Sequence, residues 1–488
     1  MKKALQTTSN SPAEPSFDLV EYAKTVRDPK MKTFDELKEL VLLGDAFNTF
    51  KESLKKRYEA GKLNLVVLGT GGTFQSAKTD KGLAPSGSLQ ESFEAMKLPY
   101  NEGEVHLNLF ELFNYDSSLL ETGEHIRFIA EVLIDLLKDC SDWIDGFILT
   151  HGTDTMVETA NYLSLILGRG LKKPITLTGS QDPARMKHSD AVYNMDNCLK
   201  VHEYLRDNAV AEVMILCGNE LVRAAWAEKV SDRDSNAFRS FNGKPLLRVD
   251  NKLVKRWQLN GSALRADGRI PFLPFNEIWE SADIPVLKLA DISPGELART
   301  IVRSRVSVWT LLGSATCPNT HADILGRAAQ EGKPVILRSP FHDAALTAGV
   351  YEAGSALAKS SIPQVKGTES FIRAKMNWLW HYLSLNTTDR QGIGEVLSPR
   401  DQQKLYAMGC AKILLASGIR PFKSPTGHIK QRPLENITNL PHLSPLEIRN
   451  STFDIPLQGC AVVPIVKNTV VKNENTNACI NPTNNSNP

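Results

Sequence analysis

Apolar positions between residues 63 and 259 follow two alternating patterns. Short continuous apolar runs, typical of buried strands, are separated by stretches in which apolar residues recur at helical spacing. The predicted strands are 64–69, 144–149, 174–178 and 210–217, and the predicted helices are 121–138, 155–168 and 189–206. This alternation predicts a mostly parallel sheet with helices on both faces.

A second, shorter alternation follows a proline-containing stretch at 262–284. Its predicted strands are 285–290, 306–312 and 334–338, and its predicted helices are 294–303, 320–331 and 368–385. We therefore predict an α/β fold: a large N-terminal, mostly parallel sheet domain with helices on both faces and a smaller C-terminal α/β domain.

The two ends of the chain have different patterns. Thr33-Phe-Asp-Glu36 has the form of a capping box, and apolar residues recur at helical spacing after it, which predicts an amphipathic helix. Its lysine-rich end, 51–62, is interpreted as a solvated last turn. The chain after Phe422 is rich in Pro, Asn, Ser and Thr and is predicted to be flexible. The predicted domains are a helical extension at 1–62, an N-terminal α/β domain at 63–261, a linker at 262–284, a C-terminal domain at 285–386 and a largely flexible extension at 387–488.

Composition limits the classes of function. Of 488 residues, 42% are hydrophobic and 23% charged, as in ordinary soluble globular proteins. The net charge of +2 argues against nucleic acid or a membrane surface as a partner. No continuous apolar core follows the two N-terminal lysines, and the seven cysteines are scattered without metal-ligand spacing. These features predict a cytoplasmic protein with reduced thiols.

Two strand-to-turn stretches carry hydroxyl groups. The strand ending at Thr150 is followed by His-Gly-Thr-Asp-Thr155, and the strand 64–69 leads into Gly69-Thr-Gly-Gly-Thr73. Alone, either turn is more simply a helix cap. The carboxyl ends of parallel strands meet at one edge of a sheet, so two such turns together predict a site there.

The glycine-rich turn does not match the common nucleotide loops. No Gly-Lys-Ser/Thr follows it, which excludes a Walker A loop, and Phe74 occupies the third glycine position of a dinucleotide fingerprint. The glycines instead let the backbone approach a small substrate and aim N–H groups at developing negative charge. Thr73 is then a candidate nucleophile that needs a base or a proton relay.

Together, Gly69-Thr-Gly-Gly-Thr73 and His151-Gly-Thr-Asp-Thr155 resemble the two signatures of the L-asparaginase family of amidohydrolases. Pro174-Ile-Thr-Leu-Thr-Gly-Ser180 is similar to that family's next strand. The resemblance covers about 63 to 385. It implies hydrolysis of the side-chain amide of L-asparagine, or of glutamine, through a threonine nucleophile without a cofactor or metal. It also implies a homo-oligomer, a dimer or tetramer.

The resemblance assigns roles to particular residues. Thr73 would attack the amide, and Thr153, Asp154 and Lys229 would form the proton relay. A substrate's α-carboxylate and amino group would be held by Ser117, with Gly72 and Asp116 as further contacts. Taken alone, Lys229 is simply a surface lysine. Likewise, Asp116-Ser-Ser118 could be no more than a helix N-cap, although a helix N-terminus also suits a carboxylate.

One departure separates this chain from the family. The family places a tyrosine about ten residues after the nucleophilic threonine, whereas Leu83 stands there in this chain. The alternative function is therefore an asparaginase-like protein that binds small amino acids or amides with weak or no turnover. An amidotransferase component for tRNA-linked substrates ranks last, since it would have a β-rich N-terminal module and a basic face. His151 and His188 lack a third ligand at usable spacing and are interpreted as structural or solvent-facing.

Overall fold

The computed structural model describes most of the chain between residues 31 and 384. The described residues are 31–80, 82–98, 103–120, 123–167, 171–241, 244–250, 253–256, 284–313, 316–341, 352, 357, 362, 364–384 and 461–462. The sequence pattern also predicts a helix at 401–417, which lies outside them, as do nearly all of the predicted flexible extension and most of the linker. Within these ranges no helix is long and apolar enough to span a membrane.

An eight-stranded sheet forms the first of two compact units. Its strands are β1 (Leu63–Gly71), β4 (Val105–Tyr115), β5 (Gly146–Thr150), β6 (Ile175–Thr178), β7 (Val213–Cys217), β8 (Glu220–Arg223), β11 (Leu247–Asp250) and β12 (Leu253–Arg256). Their order is β12-β11-β8-β7-β6-β5-β1-β4. The five strands from β7 to β4 are parallel, and β8, β11 and β12 continue the sheet antiparallel.

Two hairpins accompany this sheet. They pair β2 (Ser76–Thr79) with β3 (Gly82–Pro85) and β9 (Ala227–Lys229) with β10 (Phe238–Ser240). The unit's helices are α1 (Phe34–Leu37), α2 (Asp45–Arg57), α3 (Leu89–Met96), α4 (Glu124–Asp139), α5 (Met156–Leu167), α6 (Asp190–Asp207) and α9 (Glu369–Ser384). The predicted fold class is confirmed, with predicted strands and helices present at closely similar bounds.

The second unit is a smaller sheet in the order β13-β14-β15-β16-β17. Its strands are β13 (Val286–Lys288), β14 (Ser307–Thr310), β15 (Val335–Arg338), β16 (Gln364–Lys366) and β17 (Ala461–Val462), and its helices are α7 (Pro294–Arg303) and α8 (Asn319–Gln330). The first four strands are parallel. The two residues of β17 pair antiparallel with β16, inside the segment that the sequence predicts to be flexible.

The predicted N-terminal helix is broken in two. Thr33 and Glu36 form the expected capping box at the start of α1, which continues as a π-helix over Lys38–Leu42. Gly44 then takes an extended conformation as the N-cap of α2. Lys51 also differs from the prediction of a solvated residue, because its ammonium donates to Asp135 at 2.8 Å and to Asp139 at 3.0 Å.

Helix α9 packs against α5 in the first unit. The side-chain amide of Asn161 donates to the Ser370 hydroxyl at 2.9 Å, and that of Asn377 donates to the Tyr162 hydroxyl at 3.1 Å. Helix α5 starts immediately after the turn that carries Thr153 and Asp154. These buried contacts therefore hold the helix that follows one of the two signature turns.

Candidate active site

Sheet order brings three turns to one place. Strand β1 lies between β4 and β5, and Gly69 pairs with Glu111 on one side and Thr150 on the other. Because these strands are parallel and in register, their carboxyl ends project the Gly72–Thr73, Asp116–Ser117 and His151–Gly152 segments from the same edge.

Glycine makes the contact between these turns possible. Gly72 has φ +71°, and a Cβ atom there would collide with the backbone of Gly152. A Cβ atom on Gly152 would in turn collide with the Ser117 side chain. The Gly72 N–H donates to the Tyr115 carbonyl at 2.8 Å, which ties the first turn to the strand end before Asp116. Thr73 begins a short 3-10 helix, Thr73–Gln75, and is half-buried.

Lys229 joins the second turn from β9. Its ammonium donates to the Thr153 hydroxyl at 3.0 Å and to a carboxylate oxygen of Asp154 at 2.7 Å. Thr153 is buried, the Lys229 side chain is 24% exposed and the Asp154 side chain is 63% exposed. The structure thus brings together the three residues that the resemblance assigns to a relay, with the carboxylate on the solvent side.

The Asp116–Ser118 segment behaves partly as a cap. Asp116 accepts from the Ser118 N–H at 2.9 Å and from its hydroxyl at 2.7 Å, which caps the 3-10 helix Ser117–Leu119. Ser117 is buried beside Gly152, and its carbonyl accepts from the Thr155 hydroxyl at 2.9 Å. The cap interpretation therefore holds for the Asp116 side chain, while Ser117 lies at the meeting point of the turns.

Sequence reasoning did not identify Gln75 as a supporting residue. This fully buried side chain accepts from the Gly71 N–H at 3.0 Å and donates to Glu111 at 2.8 Å. Glu111 also accepts from the Leu89 N–H at 2.8 Å. Gln75 thereby fixes the turn around Thr73. The available signal was a polar residue two positions after Thr73, directly after the glycine-rich turn.

Asn194 also escaped sequence reasoning. From α6, its amide donates to the Gly179 carbonyl at 2.8 Å, and its oxygen accepts from the Gly218 N–H at 2.7 Å. Gly179 itself packs against the His151 carbonyl. One buried amide thus joins the ends of β6 and β7 beside the second turn. The signal for it was an asparagine at helical spacing with the apolar residues of this helix.

His151 has a structural place and His188 faces solvent, as the sequence predicts. His151 is fully buried, with its Nδ1 2.7 Å from the Gly152 carbonyl and its Nε2 3.0 Å from the Thr159 hydroxyl. Burial lowers the pKa of His151 to about 4, so the ring is neutral and orients the turn. His188 is exposed. Across the described residues, no group of three or more His, Cys, Asp or Glu could hold a metal ion.

Leu83 lies in the hairpin that follows Thr73. It pairs with Lys78 across β2 and β3, and its side chain is 53% exposed. The hairpin starts at Ser76, directly after the Thr73–Gln75 turn. Leu83 is thus an exposed apolar side chain on the strand pair that directly follows the Thr73–Gln75 turn.

Hydroxyl, carboxylate and amine groups thus meet at the carboxyl edge of a parallel sheet, the place where α/β proteins commonly bind their ligands. A family model described as "Asparaginase, N-terminal" matches residues 64–260. L-asparaginase 1 of Escherichia coli (strain K12) is 28% identical over 343 residues, which are 69% of this chain and 96% of that protein. Residues 64–260 therefore form an asparaginase-type N-terminal domain, and the chain is similar to the L-asparaginases at low identity.

Two further similarities extend the comparison. A glutamyl-tRNA(Gln) amidotransferase component of Thermococcus kodakarensis is 26% identical over 330 residues, which are 64% of this chain and 70% of that protein. A solved structure, the thermostable L-asparaginase from Thermococcus kodakarensis, matches with a TM-score of 0.54 at 20% identity, covering 71% of this chain and 97% of that one. The structural match supports the fold.

Acid should destabilise the protein through its buried histidines. Burial lowers the pKa of His202 to about 3 and that of His151 to about 4, from an ordinary value of 6.5. Below pH 6.5 the unfolded chain binds protons that the native state does not. Stability is therefore full above that pH and falls by about 1.4 kcal/mol per pH unit per histidine on acidification. Denaturant unfolding at pH 7, 6 and 5 measures this slope.

The variant His202→Gln should have a shallower slope, and His188→Gln, at an exposed position, serves as the matched control. An unchanged slope in His202→Gln would show that this ring does not stay neutral in the native state.

Proposed function

We propose that the protein is an amidohydrolase that hydrolyses the side-chain amide of L-asparagine, or of glutamine, to the acid and ammonia. The family match over residues 64–260 and the similarity to L-asparaginases support a hydrolase acting on amides. The observation that carries the finer proposal is the hydrogen-bonded set Lys229, Thr153 and Asp154. Through the Gly72–Gly152 backbone contact, this set lies on the turn next to Thr73.

In the proposed reaction the Thr73 hydroxyl oxygen attacks the amide carbon. The hydroxyl proton passes to the relay, the C–N bond breaks, and ammonia leaves after gaining a proton. Water then cleaves the acyl ester and restores Thr73. Within the relay, Lys229 and Thr153 would carry the proton from the Thr73 hydroxyl to the leaving ammonia.

Backbone N–H groups would stabilise the oxyanion of the tetrahedral intermediate. Four N–H groups, at residues 72–73 and 153–154, are candidates from the sequence. The Gly72 N–H already donates to Tyr115, so the Thr73 N–H is the candidate donor from the first turn. A single such donor is typically worth about 3–4 kcal/mol in the transition state.

Substrate recognition is assigned to the Asp116–Ser117 turn. The Ser117 side chain lies against Gly152, within the cluster of turns, and Thr155 fixes its carbonyl. A small amino-acid amide would place its α-carboxylate and amino group against Ser117, with Asp116 facing the amino group.

We also expect the protein to form a homo-oligomer, which light scattering measures. A cytoplasmic location stays a prediction.

The alternative is a binding protein for small amino acids or amides. Its support is Leu83, because an exposed leucine cannot relay a proton. Release of ammonia from millimolar asparagine or glutamine by the purified protein distinguishes the two functions. Turnover supports the enzyme, whereas calorimetric binding of asparagine without ammonia release supports the binding protein.

Thr73→Ala and Thr153→Val should each lower kcat by at least about a hundredfold, as expected for groups that act in the transition state. Their melting temperatures should stay near that of the parent protein. Thr320→Ala, at an exposed threonine of α8, is the matched control and should keep full activity. Near-normal turnover in both Thr73→Ala and Thr153→Val would rule out the threonine mechanism.

Asp154→Asn and Lys229→Met should each reduce kcat strongly, and the double variant should be little worse than either single one. Groups that act as a unit give non-additive losses. Lys172→Met, at an exposed lysine, controls for loss of a positive charge. Losses that multiply in the double variant would mean that the two residues act separately.

Leu83→Tyr should raise kcat if the hairpin can bring a phenol within hydrogen-bond reach of Thr73, since general acid–base assistance is worth roughly 10²–10⁴ in rate. The position is exposed, so folding should be unaffected. Leu40→Tyr, at an exposed leucine of the N-terminal extension, is the control. Weaker ligand binding without a gain in kcat would favour the binding protein, and no change in either would mean that Leu83 does not line the site.

A further inference from the structure

The N-terminal segment Met31–Arg57 is docked on the first unit. It precedes the residues that the family model matches, 64–260. Six of its apolar side chains are nonetheless buried like those of a core: Met31, Phe34, Leu37, Val41, Phe47 and Leu54. Burial of this extent means that the segment is an integral part of the unit rather than a tail.

Its second helix covers the edge of the large sheet. Phe47 and Phe50 of α2 pack their rings against Phe110 of β4, with ring centroids 5.3 and 4.8 Å apart. Lys51 bridges to Asp135 and Asp139 of α4. Aromatic packing and paired charges thus fasten α2 over the edge strand, whose far end leads into the site.

The first helix is fastened nearer to that end. The Arg127 guanidinium of α4 lies over the Phe34 ring, 3.8 Å from its centroid. Directly before this helix, the backbone N–H of Lys32 donates to the Tyr115 hydroxyl at 3.2 Å. The extension therefore contacts the last residue of β4.

Tyr115 connects the extension to the candidate site. Its ring stacks on Phe113 with centroids 5.0 Å apart and meets His125 edge-on at 5.7 Å. Its carbonyl accepts the Gly72 N–H at 2.8 Å, and the next two residues are Asp116 and Ser117. The Tyr115 side chain thus bonds to the extension. Its backbone bonds to Gly72 and continues directly into the Asp116–Ser117 turn.

We propose that Tyr115 is a positioning residue through which the N-terminal extension sets the Asp116–Ser117 turn that receives the substrate. This role rests on the proposed function, because the turn is assigned there to the α-carboxylate and amino group. Loss of the hydroxyl contact would loosen recognition of the ground state while leaving Thr73 and its relay intact. The expected signature is a change in KM rather than in kcat.

Two substitutions remove the contact from opposite sides. Tyr115→Phe deletes the acceptor, and Lys32→Pro deletes the N–H donor. Each should raise KM for asparagine about three- to tenfold, the range of one hydrogen bond, with kcat changed less than about twofold. The double variant should be no worse than either single one, since both remove the same bond. Lys32→Ala, which keeps the N–H, and Tyr58→Phe, at an exposed tyrosine of the extension, are the matched controls.

Amide hydrogen exchange provides a second measurement that does not depend on turnover. In Tyr115→Phe, exchange should accelerate at Gly72, Leu119 and Leu120, whose N–H groups bond to Tyr115, Asp116 and Ser117. A parent protein without ammonia release would refute the proposed function, and the exchange data would still decide whether Tyr115 couples the extension to the turn. Parent-like exchange at these amides, or a lowered melting temperature with parent KM, would overturn the positioning role.

Discussion

The candidate site depends on the close approach of two backbone segments, at Gly72 and Gly152. Gly72 and Gly152 touch where their strands end, and neither position has room for a Cβ atom. Because Ser117 packs on the other side of Gly152, the same contact also fixes the third turn. A side chain at either glycine would push apart the turns that carry Thr73 and the Thr153–Asp154 pair. The candidate catalytic residues depend on this contact because each lies within one or two residues of it or bonds to a residue that does.

The parts of the fold that the sequence predicts are those with strong periodicity. The runs at 64–69 and 144–149 are buried on both faces as β1 and β5, so nearly every position is apolar. Strand β4 gives no such run, because it lies at the sheet edge and its residues are mostly half-buried. The break at Gly44 was also missed, since the apolar spacing continues across it while the backbone does not.

The residues of the candidate site also differ in whether the sequence alone could identify them. Thr153, Asp154 and Lys229 could be named from motifs, and the structure brings them within hydrogen-bond distance. Gln75 and Asn194 could not, because they bond to groups that become neighbours only in the folded chain: the Glu111 carboxylate for Gln75, and the Gly179 carbonyl and Gly218 N–H for Asn194. Engagement of the Gly72 N–H by Tyr115 was likewise invisible, since it depends on the register of β1 against β4.

The packing of α9 on α5 has a consequence for how the protein is made. The two buried hydrogen bonds between these helices join residues 209 and 215 positions apart in the chain. During synthesis, the turn with Thr153 and Asp154 emerges long before the helix that supports the start of α5. Closing so long a loop is entropically costly, and contacts of this range form slowly. The face of α5 that packs against α9 therefore stays uncovered until residue 377 has left the ribosome.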